Sequence, residues 1–485
     1  MYKFIGEMVM DNEAKIIKKI VFPNVPIKVK SPLRISTGKN DGIIDMLILK
    51  DNHGQAFIPG TSIIGVLRNY IYDIYGEKIE DVIFGNVKNN SESQSLIRVG
   101  DVKLENVKII HRDGVAIDDI TNVSKNKAKY DFEMIDRGAE GLLNIEITVR
   151  KKFENIDIDE VAKTIAYILD NGMSIGALTT KGYGKIQTKK KPTPYYIFDF
   201  NNEADSWAWL DYLDGKINKK PVKYENVRTN ISNEFTMRIG LSLNSAIMIA
   251  DTNVQEDLTR KSSIKIRAVQ MKNGDDYVIP GTSIKGVIRN RAINILRYLS
   301  NYNEEKVISF IDDLMGHGKK VDKDGNNKLL RSRLYVNEIY LRKNNFVSAK
   351  QPRTRIDSFT GGVFYGNLFG DEPIWQIDKS KTMISINLRI RKCTEAEAGL
   401  MLLILKDLWL GNLAIGGGKS IGRGTFKGNN CLIKYQGNTF RIERVNDDDD
   451  KNRNKIKIEK DGCEEDVQDI LERYVKVLCG EFYGK

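Results

Sequence analysis

The segment Ile58-Pro59-Gly60-Thr61-Ser62-Ile63-Ile64-Gly65-Val66-Leu67-Arg68-Asn69 returns as Ile279-Pro280-Gly281-Thr282-Ser283-Ile284-Lys285-Gly286-Val287-Ile288-Arg289-Asn290, with ten identities in twelve positions. A repeat of this quality marks a duplicated domain, so the chain must fold the same unit twice. Three further landmarks recur in the same order: Ser95-Leu96-Ile97-Arg98-Val99 with Ser332-Arg333-Leu334-Tyr335-Val336, Ala116-Ile117-Asp118 with Arg355-Ile356-Asp357, and 175–184 with 415–424. The copies stand 221 residues apart at Pro59 and Pro280 but 237 apart at Ser95 and Ser332, which places a 16-residue gain in the second copy, around the polar stretch 316–327.

These landmarks divide the chain into a first domain, 1–187, a linker, 188–234, a second domain, 235–427, and a C-terminal extension, 428–485. The linker opens on Lys189-Lys190-Lys191-Pro192-Thr193-Pro194, where charge and proline end the first unit. The extension holds the acidic run Asp447–Asp450, expected as a solvated loop. It then shows a helical apolar period through Val467, Ile470, Leu471, Tyr474 and Val475, expected to cap or dock.

Within each copy the apolar spacing predicts one order of elements. A strand over 236–249 precedes a helix carrying Ile284, Val287, Ile288, Ala292, Ile295 and Leu299, with Thr282 or Ser283 as its N-cap. The first copy repeats that helix through Ile63, Val66, Leu67, Tyr70, Ile71 and Ile74. A strand over 142–149 or 383–390 leads into a second helix, 159–169 or 395–408, and a Gly-rich turn and last strand close the unit. The class is α+β, and the order is the ferredoxin-like plan used by RNA-recognition modules.

Composition narrows the function. Lys and Arg number 76 against 65 Asp and Glu, a net charge of +11 that favours a polyanionic partner, nucleic acid first. Three histidines, His53, His111 and His317, leave little material for multi-histidine chemistry. Cys393, Cys431, Cys463 and Cys479 form no CxxC pair, which disfavours a zinc ribbon and a disulfide framework. No apolar run suits a membrane span and no leader precedes the first domain, so a cytoplasmic location without membrane contact is expected.

The Gly-rich turns fail as nucleotide loops. A Walker loop ending at Lys419-Ser420 needs glycine where Leu413 stands and needs a helix to follow, whereas here a helix precedes and a strand follows. What remains is a glycine-dense turn bearing cations: Lys181, Gly182 and Gly184 in the first copy, Gly416, Gly417, Gly418, Lys419 and Arg423 in the second. Its N–H groups suit close approach to a phosphate backbone. The Ile-Pro-Gly-Thr-Ser helix start, with Ser62, Ser283 and Lys285, offers a second anion site, and Arg68 and Arg289 follow one turn on. Pro59 and Pro280 serve equally well as plain helix starters. Gly65 and Gly286 cost helix stability, which close approach of another backbone would offset.

The Ile-Pro-Gly-Thr-Ser helix start, the Ile-Asp segment and the Gly-rich turn together resemble the RAMP superfamily of CRISPR systems, and more narrowly the backbone subunits of type III effector complexes fused in tandem, as in the type III-D double-backbone subunit. The resemblance covers 17–187 and 235–427. It implies two tandem ferredoxin-like (RRM-like) RAMP domains with thumb insertions, laid along a guide RNA and holding a target RNA beside other subunits of the complex. It also implies a loop aspartate that cleaves target RNA with Mg²⁺ or Mn²⁺ by way of the ribose 2′-OH. In Gly38-Lys39-Asn40-Asp41-Gly42-Ile43-Ile44-Asp45 the matching position is Asp45, both catalytic and metal-holding; Asp41 and Asp51 are neighbouring controls. In the second copy Lys265 stands at that place, so that domain is expected to bind without cutting, with Asp257 the nearby alternative acid. Thumbs are expected over 112–134 and 353–375, with Arg112, Arg353 and Arg355 as guide contacts and Phe359, Phe364, Tyr365 and Phe369 packing the hairpin. The alternatives are a structural RNA-binding subunit without a cutting site and a guide-processing endoribonuclease of the same superfamily.

Overall fold

The computed structural model describes residues 12–36, 46–88, 91–117, 124–225, 227, 233–251, 265–321, 327–445, 456–460 and 467–483. It falls into two compact units. The first holds 1–114, 130–179 and 183–231; the second holds 115–129, 180–182 and 232–485.

The first unit is built on strand Ile16–Val29, whose apolar residues alternate along most of its length. Pro23 and Asn24 interrupt the alternation, and the ladder accommodates them by a register shift between Phe22 and Val25, with Asn24 at φ 47. This strand pairs antiparallel with Glu140–Arg150 on one side and with Lys185–Thr188 on the other, and Ile97–Val99 pairs outside Glu140–Arg150. In chain order the four strands lie 4-1-3-2, the ferredoxin-like arrangement. Helix Gly60–Tyr75 turns Ile63, Leu67 and Ile71 into the core at i, i+4 and i+8. Helix Ile158–Asn171 buries Val161, Ile165, Ile168 and Leu169, and Asp157 caps it by accepting from Glu160 N at 3.0 Å. The connecting stretch contributes its own elements. Strand Tyr196–Asp199 pairs with residues 18–21, and the segment Glu203–Leu213 forms a helix beside it, capped by Asn202.

The second unit repeats the plan. Phe235–Leu243 pairs with Ile384–Ile390 and Phe426–Tyr435, and Leu334–Val336 lies outside Ile384–Ile390, so the order is again 4-1-3-2. Its first strand ends at Leu243, short of the expected residue 249, because Asn244 and Ser245 turn away and Ile247 bridges to Ile374 of another layer. The expected caps Thr282 and Ser283 are not caps. Helix Gly281–Leu299 starts at Gly281 after an extended Pro280, and both hydroxyl residues lie inside its first turn. Helix Glu395–Leu410 has a full capping box, Thr394 with Glu397, and ends on left-handed Gly411. The extension adds strands Asn438–Arg444 and Ile456–Lys460 to the sheet edge, and helix Val467–Tyr483 buries Leu471, Tyr474, Leu478 and Phe482. Gly399 permits that docking, because a side chain there would collide with the Tyr474 carbonyl.

A hairpin accompanies each copy: Ile109–Ile117 with Ser124–Ile135, and Gln351–Ile356 with Val363–Glu372.

Candidate nucleic-acid interface

The two helix starts are chemically unlike. In the first unit the Gly60 N–H donates to Asp101 Oδ1 at 2.8 Å, so the chain's own carboxylate sits where an anion would bind. Ser62 is half-buried nearby. Arg68 turns to Glu80, to Asp81 at 3.9 Å and to the Gly85 carbonyl at 3.2 Å. In the second unit Lys285 is 8% exposed and points inward, donating to Ser332 Oγ at 2.7 Å and to the Leu334 carbonyl at 2.8 Å. Burial, with Lys181 and Arg289 nearby, pushes its ammonium down to about 7. Arg289 stands 3.7 Å from Asp312, and Ser283 is half-buried. Gly65 and Gly286 both face open space. Among the described residues no backbone approaches them, contrary to expectation, and their bare helix surface is exposed.

The Gly-rich turns owe most of their glycines to their own path. Gly184 and Gly424 take φ 75 and 78, and a side chain on either would run into the carbonyl of Ile175 or Ile415. Gly182, Gly416 and Gly418 also have positive φ, whereas Gly417 does not and is exposed. Lys181 is half-buried; Lys419 is exposed and among the described residues no carboxylate pairs with it, although partial desolvation lowers its ammonium. Arg423 faces inward, 5% exposed, bound to Asp371 at 3.0 Å and to Gln351. The turn therefore presents one cation outward and keeps another as a strut.

The second hairpin is a surface feature. Arg353 lies 3.3 Å from Asp371, while Arg355 is exposed over the ring of Phe364 at 5.0 Å. Phe359 does not pack the hairpin as expected: it is 97% exposed at the tip, with Ile356 and Val363 also exposed beside it. The tip is nevertheless shaped. Asp357 Oδ1 accepts from the N–H groups of Phe359 at 2.9 Å and Thr360 at 2.8 Å, which also holds its carboxyl below the ordinary range. In the first hairpin Arg112 is buried.

Asp41, Asp45 and Asp257 lie outside the described residues. Their frame is described. Leu49 N donates to the Ile35 carbonyl and Ser36 bridges to Ile48; in the second unit Met271 N donates to the Ile249 carbonyl and Ala250 bridges to Gln270. Positions 48 and 49 thus match 270 and 271, so by register Arg267, not Lys265, stands at the place of Asp45. The consequence is unchanged, a cation in place of a carboxylate. Beside this segment Glu133 N donates to the Met46 carbonyl at 3.1 Å, and its carboxylate accepts from Ile48 N at 3.2 Å. One carboxylate, that of Glu133, thus stands at the described edge of this segment. No cluster of three or more His, Cys, Asp or Glu side chains is present among the described residues.

Two ferredoxin-like units with matching glycine turns are what the repeated motifs implied, and a hairpin with each is what the resemblance implied. The sequence profile of the RAMP superfamily matches residues 26–187 and 231–427, most of the chain. The chain belongs to the RAMP superfamily. Its two RAMP units are arranged in tandem, and each carries its own copy of the helix start and glycine turn. No curated protein matches the sequence. Among solved structures, the Type III-B Cmr-beta complex bound to cognate target RNA contains a similar chain, at 18% identity and a TM-score of 0.29. That similarity covers 38% of this chain and 62% of that one, so this chain spans under two thirds of its length. Among the described residues no helix is long and apolar enough to cross a membrane.

Proposed function

We propose that this RAMP protein is a backbone subunit of a type III CRISPR effector complex that binds guide RNA along both units and cleaves target RNA at Asp45 of the first. The observation that supports it best is the tandem RAMP architecture itself: two ferredoxin-like units in one chain, each with a hairpin and a glycine turn. Guide and target are held through their backbones while base pairing reads the sequence. The exposed cations, Lys419 and Arg355, supply phosphate contacts, and the exposed helix surfaces at Gly65 and Gly286 admit a strand closely. The complex works in the cytoplasm beside its other subunits.

Asp45, with Glu133 bordering its segment, would hold Mg²⁺ or Mn²⁺, which stabilises charge developing on the phosphate. In the cleavage the 2′-oxygen of the ribose forms a bond to the adjacent phosphorus as the P–O5′ bond breaks. The 2′-hydroxyl proton passes to solvent, the departing 5′-oxygen gains one, and the products end in a 2′,3′-cyclic phosphate and a 5′-hydroxyl. The second unit, with Arg267 in register, binds without cutting.

The test is the assembled complex with guide RNA, labelled target and Mg²⁺, comparing the wild type with Asp45→Ala. Loss of one cleavage position with target affinity intact supports the reading. Unchanged cleavage at every position makes the chain a structural RNA-binding subunit, and metal-free cutting of precursor RNA makes it a guide-processing nuclease.

A further inference from the structure

The first unit contains a buried charge that none of these roles uses. Arg34 follows its central strand and is 6% exposed. Its guanidinium lies 4.9 Å from the ring centroid of Phe132 and abuts the thioether of Met46, a weak acceptor. Nε is sealed from solvent without a hydrogen-bond partner, and no carboxylate pairs with the group among the described residues. Desolvation pulls the guanidinium down from its ordinary value. A buried cation left this way is costly, and proteins normally pair it.

The second unit shows the same place neutralised from within. Gly176 backs onto the Arg34 carbonyl as Gly416 backs onto that of Met248, and Ala177 N donates to Arg34 as Gly417 N donates to Met248. The bridges Leu33 to Ile135 and Ile247 to Ile374 fix the neighbouring strand, so Phe132 matches Asp371; by the glycine turn, Tyr183 matches Arg423. In the second unit the buried cation, Arg423, has Asp371 at 3.0 Å. In the first unit the cation stands at position 34, and an aromatic ring replaces the counter-charge.

We propose that Arg34 is an anion-binding residue of the first unit, completed by a phosphodiester group of the bound RNA, and that the second unit lacks this site. The inference rests on the proposed RNA-binding function and adds a residue to it. Phe132 holds the guanidinium plane by its face, and the terminal Nη edge takes the two phosphate oxygens in the fork geometry that guanidinium favours. Met46, which the guanidinium abuts, adjoins Asp45 in the sequence.

The full-length chain is titrated with a single-stranded RNA oligonucleotide over a range of salt, comparing wild type, Arg34→Met, Lys419→Ala and Met248→Arg. Methionine already fills this position in the second unit, so Arg34→Met should fold, and its melting temperature is recorded alongside. The expected result is about tenfold weaker binding and a salt slope shallower by about 0.7, one phosphate's worth. A methylphosphonate scan then finds one position whose neutralisation weakens the wild type and leaves Arg34→Met unaffected. Should Arg34→Met misfold, that position is sought on the wild type and Arg34→Lys, where lysine weakens binding and loses the two-oxygen geometry. Wild-type affinity and slope in Arg34→Met, or a scan without such a position while Lys419→Ala still weakens binding, overturns the Arg34 site alone. Absence of salt-dependent RNA binding by the wild type overturns the proposed function first. Met248→Arg, placed in the unit that keeps Asp371 at the position of Phe132, should leave the slope unchanged; a steeper slope there refutes the role given to the missing counter-charge.

Discussion

Asp371→Asn tests how the second unit closes the place that the first leaves open. Among the described residues Asp371 is the carboxylate that pairs with Arg423, and the two side chains are 16% and 5% exposed. Removing one member of a buried pair strands the other, at about 3–5 kcal/mol. Asparagine keeps one acceptor for the Arg423 fork, which places the expected loss near the lower figure, about 3 kcal/mol. Arg353, 30% exposed at 3.3 Å, adds under about 1 kcal/mol through its weaker pairing. At roughly 2–4 °C per kcal/mol for a unit of this size, the second unit should melt about 6–12 °C lower. Melting of the full chain, with hydrogen exchange on Ile384–Ile390 to assign the transition, reads this directly. The double variant Asp371→Asn with Arg423→Met removes both charges and should recover most of the loss. A single variant within about 0.5 kcal/mol of the wild type, or a double variant whose loss is the sum of the two, refutes the reasoning. With Arg423 released, Asp371→Asn should also steepen the salt dependence of RNA binding by about 0.7.

Phe359→Ala should leave stability within about 0.5 kcal/mol, since the ring touches almost nothing, yet weaken productive engagement of target RNA by the assembled complex; unchanged cleavage kinetics would make the tip idle. Lys419→Ala should reduce the salt slope of RNA binding by about 0.7 without lowering the melting temperature, because no carboxylate loses a partner. Lys285 titrates lower in the folded chain, near 7, than in the unfolded chain, so between about 7 and the ordinary lysine range the unfolded state holds the extra proton. Stability should therefore rise with pH across that window and be lowest below it, by an amount on the order of a few kcal/mol. Lys285→Ile, the residue type at Ile64 of the first copy, should flatten the profile in urea melts; a profile that keeps its slope excludes Lys285 as the cause.

The ferredoxin-like plan was legible because it is written twice in apolar periods: Ile63, Leu67 and Ile71 bury as Ile284, Ile288 and Ala292 do, and both copies reach the strand order 4-1-3-2. The roles of cations were not. Arg68, Arg289 and Arg423 read alike in sequence, but their acids, Glu80, Asp312 and Asp371, come from other elements whose approach only the fold decides. Register was a second blind spot. The sequence reading sets Lys265 against Asp45, whereas the Leu49 and Met271 hydrogen bonds shift the match to Arg267. Arg34 carried no motif at all. Its signal appears only when Pro32-Leu33-Arg34-Ile35 is set beside Ala246-Ile247-Met248-Ile249, an alignment the weak similarity of those residues does not supply.

The paired positions separate what the fold requires from what it does not. Gly184 and Gly424 persist because each carbonyl crossing forbids a side chain, and the helix-facing isoleucines persist because both sheets need the same cover. Arg34 and Met248 accept the same backbone hydrogen bond, and Phe132 and Asp371 hold matching places in the neighbouring strand, so the backbone path does not account for the difference in charge; by register, Asp45 is likewise set against Arg267. Each exchange moves the first unit toward an uncompensated cation beside a carboxylate-bearing segment, and the second toward internal neutrality or added positive charge. An arginine without a carboxylate partner among the described residues, in the unit whose sequence keeps Asp45, suits a phosphate as its counter-charge. On the proposed function the second unit, having paired its arginine with Asp371, holds the nucleic-acid backbone without acting on it.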